Sequence, residues 1–236
     1  MSEEKVQVRT GVDENPFNPI LYEYEAESKI ITLIDKISKI MKAKLWEKAK
    51  KYGITETQGQ IILHLLFSPE GRKNISFIAE ELGVSKPTIS RAVDNLIEKG
   101  LVEKSVNPSN RRSHILSLTP KGVETSIEIS GYAKDIRKAI GKIEKEKKNE
   151  ILLSLLLIIS KMVENNLAKP IASCIFCTFM AEAKDGSMFC SKLNTFIKPE
   201  IIKIDCSYFE SKIPKQEKER KKRKSKTERK SQVSYS

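Results

Sequence analysis

Along this chain the spacing of apolar residues changes character several times, and each change marks an element. From about Ile20 to Tyr52, Ile30, Ile34, Ile37, Met41 and Leu45 form a narrow stripe with Lys and Glu between them. That pattern predicts one long helix, of the kind that packs on another long helix within the chain or across a dimer. Trp46 reads as a core or interface residue, and Gly53 closes the segment. Thr55-Glu56-Thr57-Gln58 is a capping box, and the helix behind it, through Ile61, Ile62, Leu65 and Leu66, is apolar enough to be central. His64 in that run reads as a half-buried structural histidine with no nearby partner. Ser68-Pro69-Glu70-Gly71 is a turn, and Ser76 opens a short helix, Phe77 to Leu82, that stops at Gly83. Ile89, Val93, Leu96 and Ile97 then return at helical spacing between Ser85, a good N-cap, and Gly100. Beyond Gly100 the period falls from 3.6 to 2. Residues 101–106 and 114–119 alternate as two strands around a polar turn, 107–113, with Arg111 and Arg112 at its tip. Thr119-Pro120 starts a helical stretch that runs to about Leu167, with a break near Gly131 or Gly141. Its apolar run after Glu150 is wider than one face, so burial on several sides is expected.

The helix from Ser85 to Gly100 has a second face. Lys86, Thr88, Ser90, Arg91 and Asn95 are short donors and acceptors plus cations, a set suited to base edges and neighbouring phosphates; Ser85 and Pro87 shape the start of the same surface. Taken alone, the segment is also an ordinary amphipathic helix. The preceding helix and the Gly83-Val84 turn make the pair a helix-turn-helix, whose second helix is normally the one that enters the major groove. The hairpin that follows is then a wing, able to place a guanidinium in a minor groove.

The 236 residues carry a formal charge of +12, but residues 212–230 hold 11 Lys or Arg against 3 Glu, a net +8. The folded part is therefore only mildly basic. The tail, residues 212–236, is too poor in apolar residues to form a core and is expected to be disordered, attracting phosphate without specificity or merely aiding solubility. The first residues are polar and acidic, unlike a signal peptide, and Ile151–Ile159 is too short to span a bilayer, so a soluble cytoplasmic protein with no membrane partner is expected. Paired catalytic carboxylates, Ser/His or Cys/His arrangements and glycine-rich phosphate loops are not evident, so the chain does not read as an enzyme.

All four cysteines fall late, Cys174, Cys177, Cys190 and Cys206, spaced C-x2-C-x12-C-x15-C. In a reducing compartment such clustering argues for metal rather than disulfides. No histidine follows His114, so the ligands would be thiolates alone. A tetrathiolate zinc ribbon has two C-x2-C turns, and this chain has one.

Ser85-Lys86-Pro87-Thr88-Ile89-Ser90-Arg91, then Leu96-Ile97-Glu98-Lys99-Gly100-Leu101-Val102, then Asn107-Pro108-Ser109-Asn110-Arg111-Arg112 with Leu116-Ser117-Leu118-Thr119-Pro120-Lys121-Gly122 resemble the MarR family of winged helix-turn-helix regulators. The resemblance covers roughly residues 20–167. It implies a two-fold homodimer, intertwined through the first and last helices of the domain, that sets two recognition helices in successive major grooves of double-stranded DNA and the wings in flanking minor grooves. Family members can also bind small aromatic effectors, though nothing in this sequence selects one. The family's wing usually has an aspartate two places before the inserted arginine; here that place is Asn110, before Arg112. The lone C-x2-C with two single cysteines, the last in Asp205-Cys206-Ser207-Tyr208-Phe209, resembles small high-potential-type iron–sulfur modules. That resemblance implies a [4Fe–4S] cluster on Cys174, Cys177, Cys190 and Cys206, shielded by Phe176, Phe179, Phe189, Phe196, Tyr208 and Phe209, with zinc as the alternative.

The expectation is a mainly α winged helix-turn-helix with a small β-wing and long dimerisation helices. An arm (1–19) precedes a DNA-binding and dimerisation domain (20–168), and a four-cysteine module (169–211) and the basic tail (212–236) follow. The function expected is that of a sequence-specific, dimeric DNA-binding transcriptional regulator, responsive to metal or redox state through the cysteines. The alternative is a metal-dependent redox or accessory protein that uses the winged helix for protein contacts.

Overall fold

A computed structural model describes residues 15–107, 110–183 and 185–213; the side chains of residues 21–23, 107 and 110–113 also fall outside the description. Most of the predicted arm, the tip of the wing and nearly all of the basic tail therefore lie outside the described residues. The chain divides into two units, Met1–Ile140 and Gly141–Ser236.

In the first unit the long N-terminal pattern yields two helices, α1 (Pro19–Tyr24) and α2 (Ala26–Ala49). They part at Glu25, which takes an extended conformation and accepts a hydrogen bond from the Ser28 hydroxyl at 2.9 Å. The Thr55–Gln58 capping box opens α3 (Glu56–Phe67), with the Thr55 N–H donating to Gln58 Oε1 at 2.9 Å and the Gln58 N–H to Thr55 Oγ1 at 3.2 Å. The next helix, α4 (Ile75–Leu82), begins earlier than its sequence suggests. Asn74, not Ser76, is its cap, because the Asn74 side chain is placed to accept the Phe77 N–H at 3.0 Å. Gly83 then adopts φ +64°, a left-handed turn that other residues enter at a cost, and Ser85 starts α5 (Lys86–Glu98). Strands β1 (Val102–Asn107) and β2 (Asn110–Leu118) form the wing, antiparallel, with Val102 opposite Leu118 and a register shift between Val106 and Asn107. Helices α6 (Pro120–Ser130) and α7 (Tyr132–Gly141) follow, so the expected break does occur at Gly131.

One core joins these elements. Leu45 and Ala49 of α2, Ile61, Ile62 and Leu65 of α3, Ile78 of α4, Ile89, Val93 and Leu96 of α5, Leu101, Val102, Leu116 and Ile129 all pack in it. Truncating any of the large members to alanine should cost about 2–5 kcal/mol. His64 is more buried and better partnered than its sequence context suggests. Its Nε2 donates to the Arg72 carbonyl at 3.1 Å, while Nδ1 lies 3.2 Å from the Ser68 hydroxyl and 3.3 Å from Glu81 Oε2. It thereby ties α3 to the turn ahead of α4 and to α4 itself. By contrast, the α2 stripe stays uncovered: Ile34 and Ile37 are 40% and 56% exposed, and only Leu45 of the stripe is buried. Trp46 is half exposed, with Lys50 Nζ 4.6 Å from its ring centre.

The second unit holds α8 (Lys145–Glu164) and a small sheet of three antiparallel strands in the order β3 (Met180–Glu182), β4 (Met188–Cys190), β5 (Thr195–Ile197). Leu156 and Val163 of α8 are buried, but Ile151, Leu153, Leu155 and Leu157 remain exposed. Glu200, in the short turn Pro199–Ile201, meets Lys145 at 3.1 Å and Asn149 at 3.3 Å, so this turn is tethered to the start of α8. Its own backbone N–H, then Lys145 and Asn149, hold the Glu200 carboxyl below the usual glutamate range.

The tightest backbone approach lies where the wing returns to the helices. A Cβ added at Gly122 would sit 1.9 Å from the Leu101 carbonyl oxygen. Helix propensity alone favours alanine over glycine there by about 1 kcal/mol, but backbone cannot yield to such an overlap. We expect Gly122→Ala to destabilise the fold by about 3 kcal/mol or more, read by denaturant unfolding. Gly71→Ala, where an added Cβ meets nothing within 4 Å, is the control that should change little.

Candidate nucleic-acid interface and cysteine centre

The polar face of α5 starts at its cap. The Ser85 hydroxyl accepts the Thr88 N–H at 3.3 Å and lies 2.7 Å from the Thr88 hydroxyl. Pro87 sits in the first turn, where its missing N–H costs nothing. With Ile89, Val93 and Leu96 fully buried, the rotation of the helix is fixed. Ser85, Lys86, Pro87, Thr88, Arg91 and Asn95 are exposed and Ser90 half-buried. Thr88, Arg91 and Asn95 are spaced i, i+3, i+7, so they form one row along the outer face. Asp94 and Glu98, also exposed, lie toward the C-terminal half of that face. Sequence reading passed over these two carboxylates. Like charge repels phosphate, so only the N-terminal half of α5 is suited to close approach to a polyanion.

The C-terminal end of α5 is clamped. The carbonyls of Lys99, Gly100 and Leu101 accept, in turn, from Lys121 Nζ at 3.1 Å, the Thr119 hydroxyl at 2.7 Å and the Thr119 N–H at 3.1 Å. The Thr119 hydroxyl oxygen also accepts the Gly122 N–H at 3.0 Å, capping α6. The Leu116 N–H donates to the Lys73 carbonyl at 2.9 Å, which fastens β2 to the segment before α4. Arg111 and Arg112 were expected in a seven-residue turn, but β2 begins at Asn110, so their backbone is strand; their side chains lie outside the described residues. The strand extends because Asn107 pairs with Asn110 beyond the register shift.

Residues 52–113 match the model of the MarR family. That span covers α3, α4, α5, β1 and the first residues of β2. Among solved structures, MepR of Staphylococcus aureus in its DNA-binding conformation is 22% identical to this chain, covering 56% of it and 98% of MepR, with a TM-score of 0.51. A MepR–DNA complex (23% identity, 55% and 96% covered, TM-score 0.49) and a MarR transcriptional regulator from Methanosarcina mazei Go1 (21%, 57% and 96%, 0.49) are further matches. The MepR likeness establishes a winged-helix fold over rather more than half of the chain. No helix among the described residues is long and apolar enough to cross a membrane.

The four cysteines come together. Cys174 and Cys177 flank the short helical turn Cys174–Phe176, Cys190 ends β4, and Cys206 lies in a turn whose N–H donates to the Ala172 carbonyl at 2.8 Å. All four are free and buried and line one small cavity with Phe179, Met180, Lys192, Leu193 and Tyr208. The Lys203 N–H points at Cys174 Sγ, 3.3 Å away. Burial pushes the Cys174 thiol above its ordinary pKa, that N–H opposes the shift, and Cys206, Cys190 and Cys177 add to it. Among the described residues no three Cys, His, Asp or Glu side chains are grouped so as to hold a metal ion. Of the aromatic residues expected around the thiols, Phe179 and Tyr208 form cavity walls and Phe209 packs against the cluster. Phe189 and Phe196 instead pair edge-to-face at 5.2 Å, with Phe196 largely exposed. Lys192 Nζ lies 5.4 Å from the Phe179 ring and 5.8 Å from that of Tyr208, a feature with no signal in the sequence.

Proposed function

We propose that this protein is a homodimeric, sequence-specific DNA-binding transcriptional regulator that reads the major groove with α5. One observation carries the reading: Thr88, Arg91 and Asn95 form an exposed row on a helix whose opposite face is locked into the core. Lys86 and the Ser85–Thr88 hydroxyl pair sit at the helix start, where phosphate is favoured by the free N–H groups and the helix dipole. Arg111 and Arg112, on β2, take the minor-groove role that the family resemblance implies. The match of residues 52–113 to the MarR family and the DNA-binding form of MepR support the same reading.

Dimerisation rests on the uncovered apolar residues of α2 and α8, a pairing also implied by the family resemblance. An exposed apolar stripe along a helix marks an interaction site. The cysteine module shares a unit with α8. A group bound by the thiols therefore acts on a helix proposed to hold the dimer together, which makes the regulator responsive to the metal or redox state of that group.

Binding to duplex DNA from the region upstream of the protein's own gene should be saturable and should weaken steeply with salt. Arg91→Ala should cost about 1–3 kcal/mol, roughly ten- to a hundredfold in Kd. Arg112→Ala should weaken binding more than Arg111→Ala, because Arg112 stands where the family inserts its arginine; equal losses in a gel-shift titration sink that assignment. Placing a charge in the α2 stripe, as Ile37→Glu, should shift the chain from dimer to monomer in sedimentation and abolish tight binding to a two-half-site operator. Protein stripped of metal should differ from the untreated protein in operator affinity. Superimposable titrations would make the cysteine module purely structural.

A further inference from the structure

We propose that Thr119 is a positioning residue for DNA reading: its hydroxyl holds the wing at a fixed angle to α5, so that wing and recognition helix meet a duplex as one body. The proposal rests on the regulator reading above and uses the first unit alone. Thr119 joins separate parts of the fold. Its N–H donates to the Leu101 carbonyl at 3.1 Å, its hydroxyl donates to the Gly100 carbonyl at 2.7 Å, and the hydroxyl oxygen accepts the Gly122 N–H at 3.0 Å. Capping α6 asks only for an acceptor, which aspartate supplies as well as threonine. The bond to Gly100 asks in addition for a donor, which aspartate lacks. That bond does nothing for α6; it ties the end of the returning strand to the turn that closes α5.

The angle matters because the wing is a lever. From Val102 to Asn107 the strand runs out from this junction by about 17 Å. A pivot of about ten degrees at its base carries the far end about 3 Å, well beyond the spread of hydrogen-bond lengths. The base is anchored in the core, since the fully buried Ser126 hydroxyl donates to the Gly122 carbonyl at 2.6 Å. Higher on the same strand, the Leu116 N–H donates to the Lys73 carbonyl at 2.9 Å, ahead of α4. Lys121 Nζ also reaches the end of α5, at the Lys99 carbonyl, but through an exposed, flexible four-carbon stem that sets no angle. The short Thr119 hydroxyl does set one.

The test is amide hydrogen exchange of the full chain without DNA, on Thr119→Val, Thr119→Asp and Thr119→Ser. Losing the donor should speed exchange of the Leu116 N–H roughly three- to tenfold in the valine and aspartate variants. The Ile61 and Ile62 amides of α3 should keep their wild-type rates, and the serine variant should match wild type throughout. An unchanged Leu116 rate in the aspartate variant reduces Thr119 to a cap and overturns the proposal. A uniform rise across α3 and β2 reduces it to a stability residue and does the same. Against duplex DNA, Thr119→Val should weaken binding, as should a variant carrying Arg111→Ala and Arg112→Ala together. Combining all three changes should weaken it by less than the product of the two losses, because a displaced wing has less to lose; losses that multiply overturn the proposal. A wild-type chain with no saturable DNA binding defeats the regulator reading instead, and the exchange rates still decide whether Thr119 holds the wing.

Discussion

Just past the end of α5, the carbonyls of Lys99, Gly100 and Leu101 are three consecutive acceptors that need partners from outside the helix. All three are met from one place, the Thr119–Lys121 segment at the mouth of α6. The Thr119 hydroxyl donates to one carbonyl and simultaneously caps α6 through Gly122. The hairpin leaves from Val102 and returns at Leu118, so the wing is a loop closed by this knot. Helix and wing consequently share one anchor, and their relative placement is set by backbone contacts rather than by long side chains. Such a junction tolerates no bulk: Gly122 is there because the Leu101 carbonyl occupies the space of a Cβ.

Local signals made much of the first unit readable. The Thr55 box, the Ser85 cap with Pro87, the Gly83 turn and the change of period after Gly100 each specify structure within a few residues, and the helix-turn-helix and its wing follow from them. What stayed hidden depends on contacts distant in sequence. Nothing near His64 announces Glu81 or the Arg72 carbonyl, and nothing near Gly122 announces Leu101. The break at Glu25 interrupts a helical pattern that is continuous in periodicity, because one extended residue barely disturbs the spacing of apolar positions. For the cysteines, spacing and the absence of histidine pointed to a common site, and of the six aromatic residues expected around it Phe179 and Tyr208 line the cavity and Phe209 packs nearby. Phe189 and Phe196 lie opposite each other on neighbouring strands and pair with one another, a consequence of register that composition does not carry.

The charges on α5 refine how a duplex would be met. Were the whole outer face basic, attraction to phosphate would hold the helix along its length and carry little sequence information. Asp94 and Glu98 repel phosphate at the C-terminal half, so the groove is best approached through the turn containing Lys86, Thr88 and Arg91. Recognition helices commonly contact base edges with their N-terminal residues. Specificity would then rest on few contacts, and in the proposed dimer a small change in the separation of two such helices would misalign one half-site.

That sensitivity would make the energetics of the proposed dimer decisive. Ile30, Ile31, Leu33, Ile34, Ile37, Ile40 and Met41 on α2 are each about half exposed. In the proposed dimer both copies of α2 would bury the remainder of these seven side chains, together roughly 10–20 kcal/mol, against an association cost of about 4–15 kcal/mol. Where the cost lies at the upper end of that range the surplus is small, and the exposed Leu153, Leu155 and Leu157 of α8 would add to it. Helix α8 is also the element tied through Lys145 and Asn149 to Glu200 in the cysteine unit. Exposed ion pairs of that kind contribute little, so the tether does not by itself drive a rearrangement. An interface with a small surplus would need only a small bias, however, which a group bound by the thiols, as proposed, would supply by ordering the segment that carries Glu200. Regulation through the cysteines, as proposed, would therefore require no large motion, only a dimer whose stability depends on α8 being held where that segment holds it.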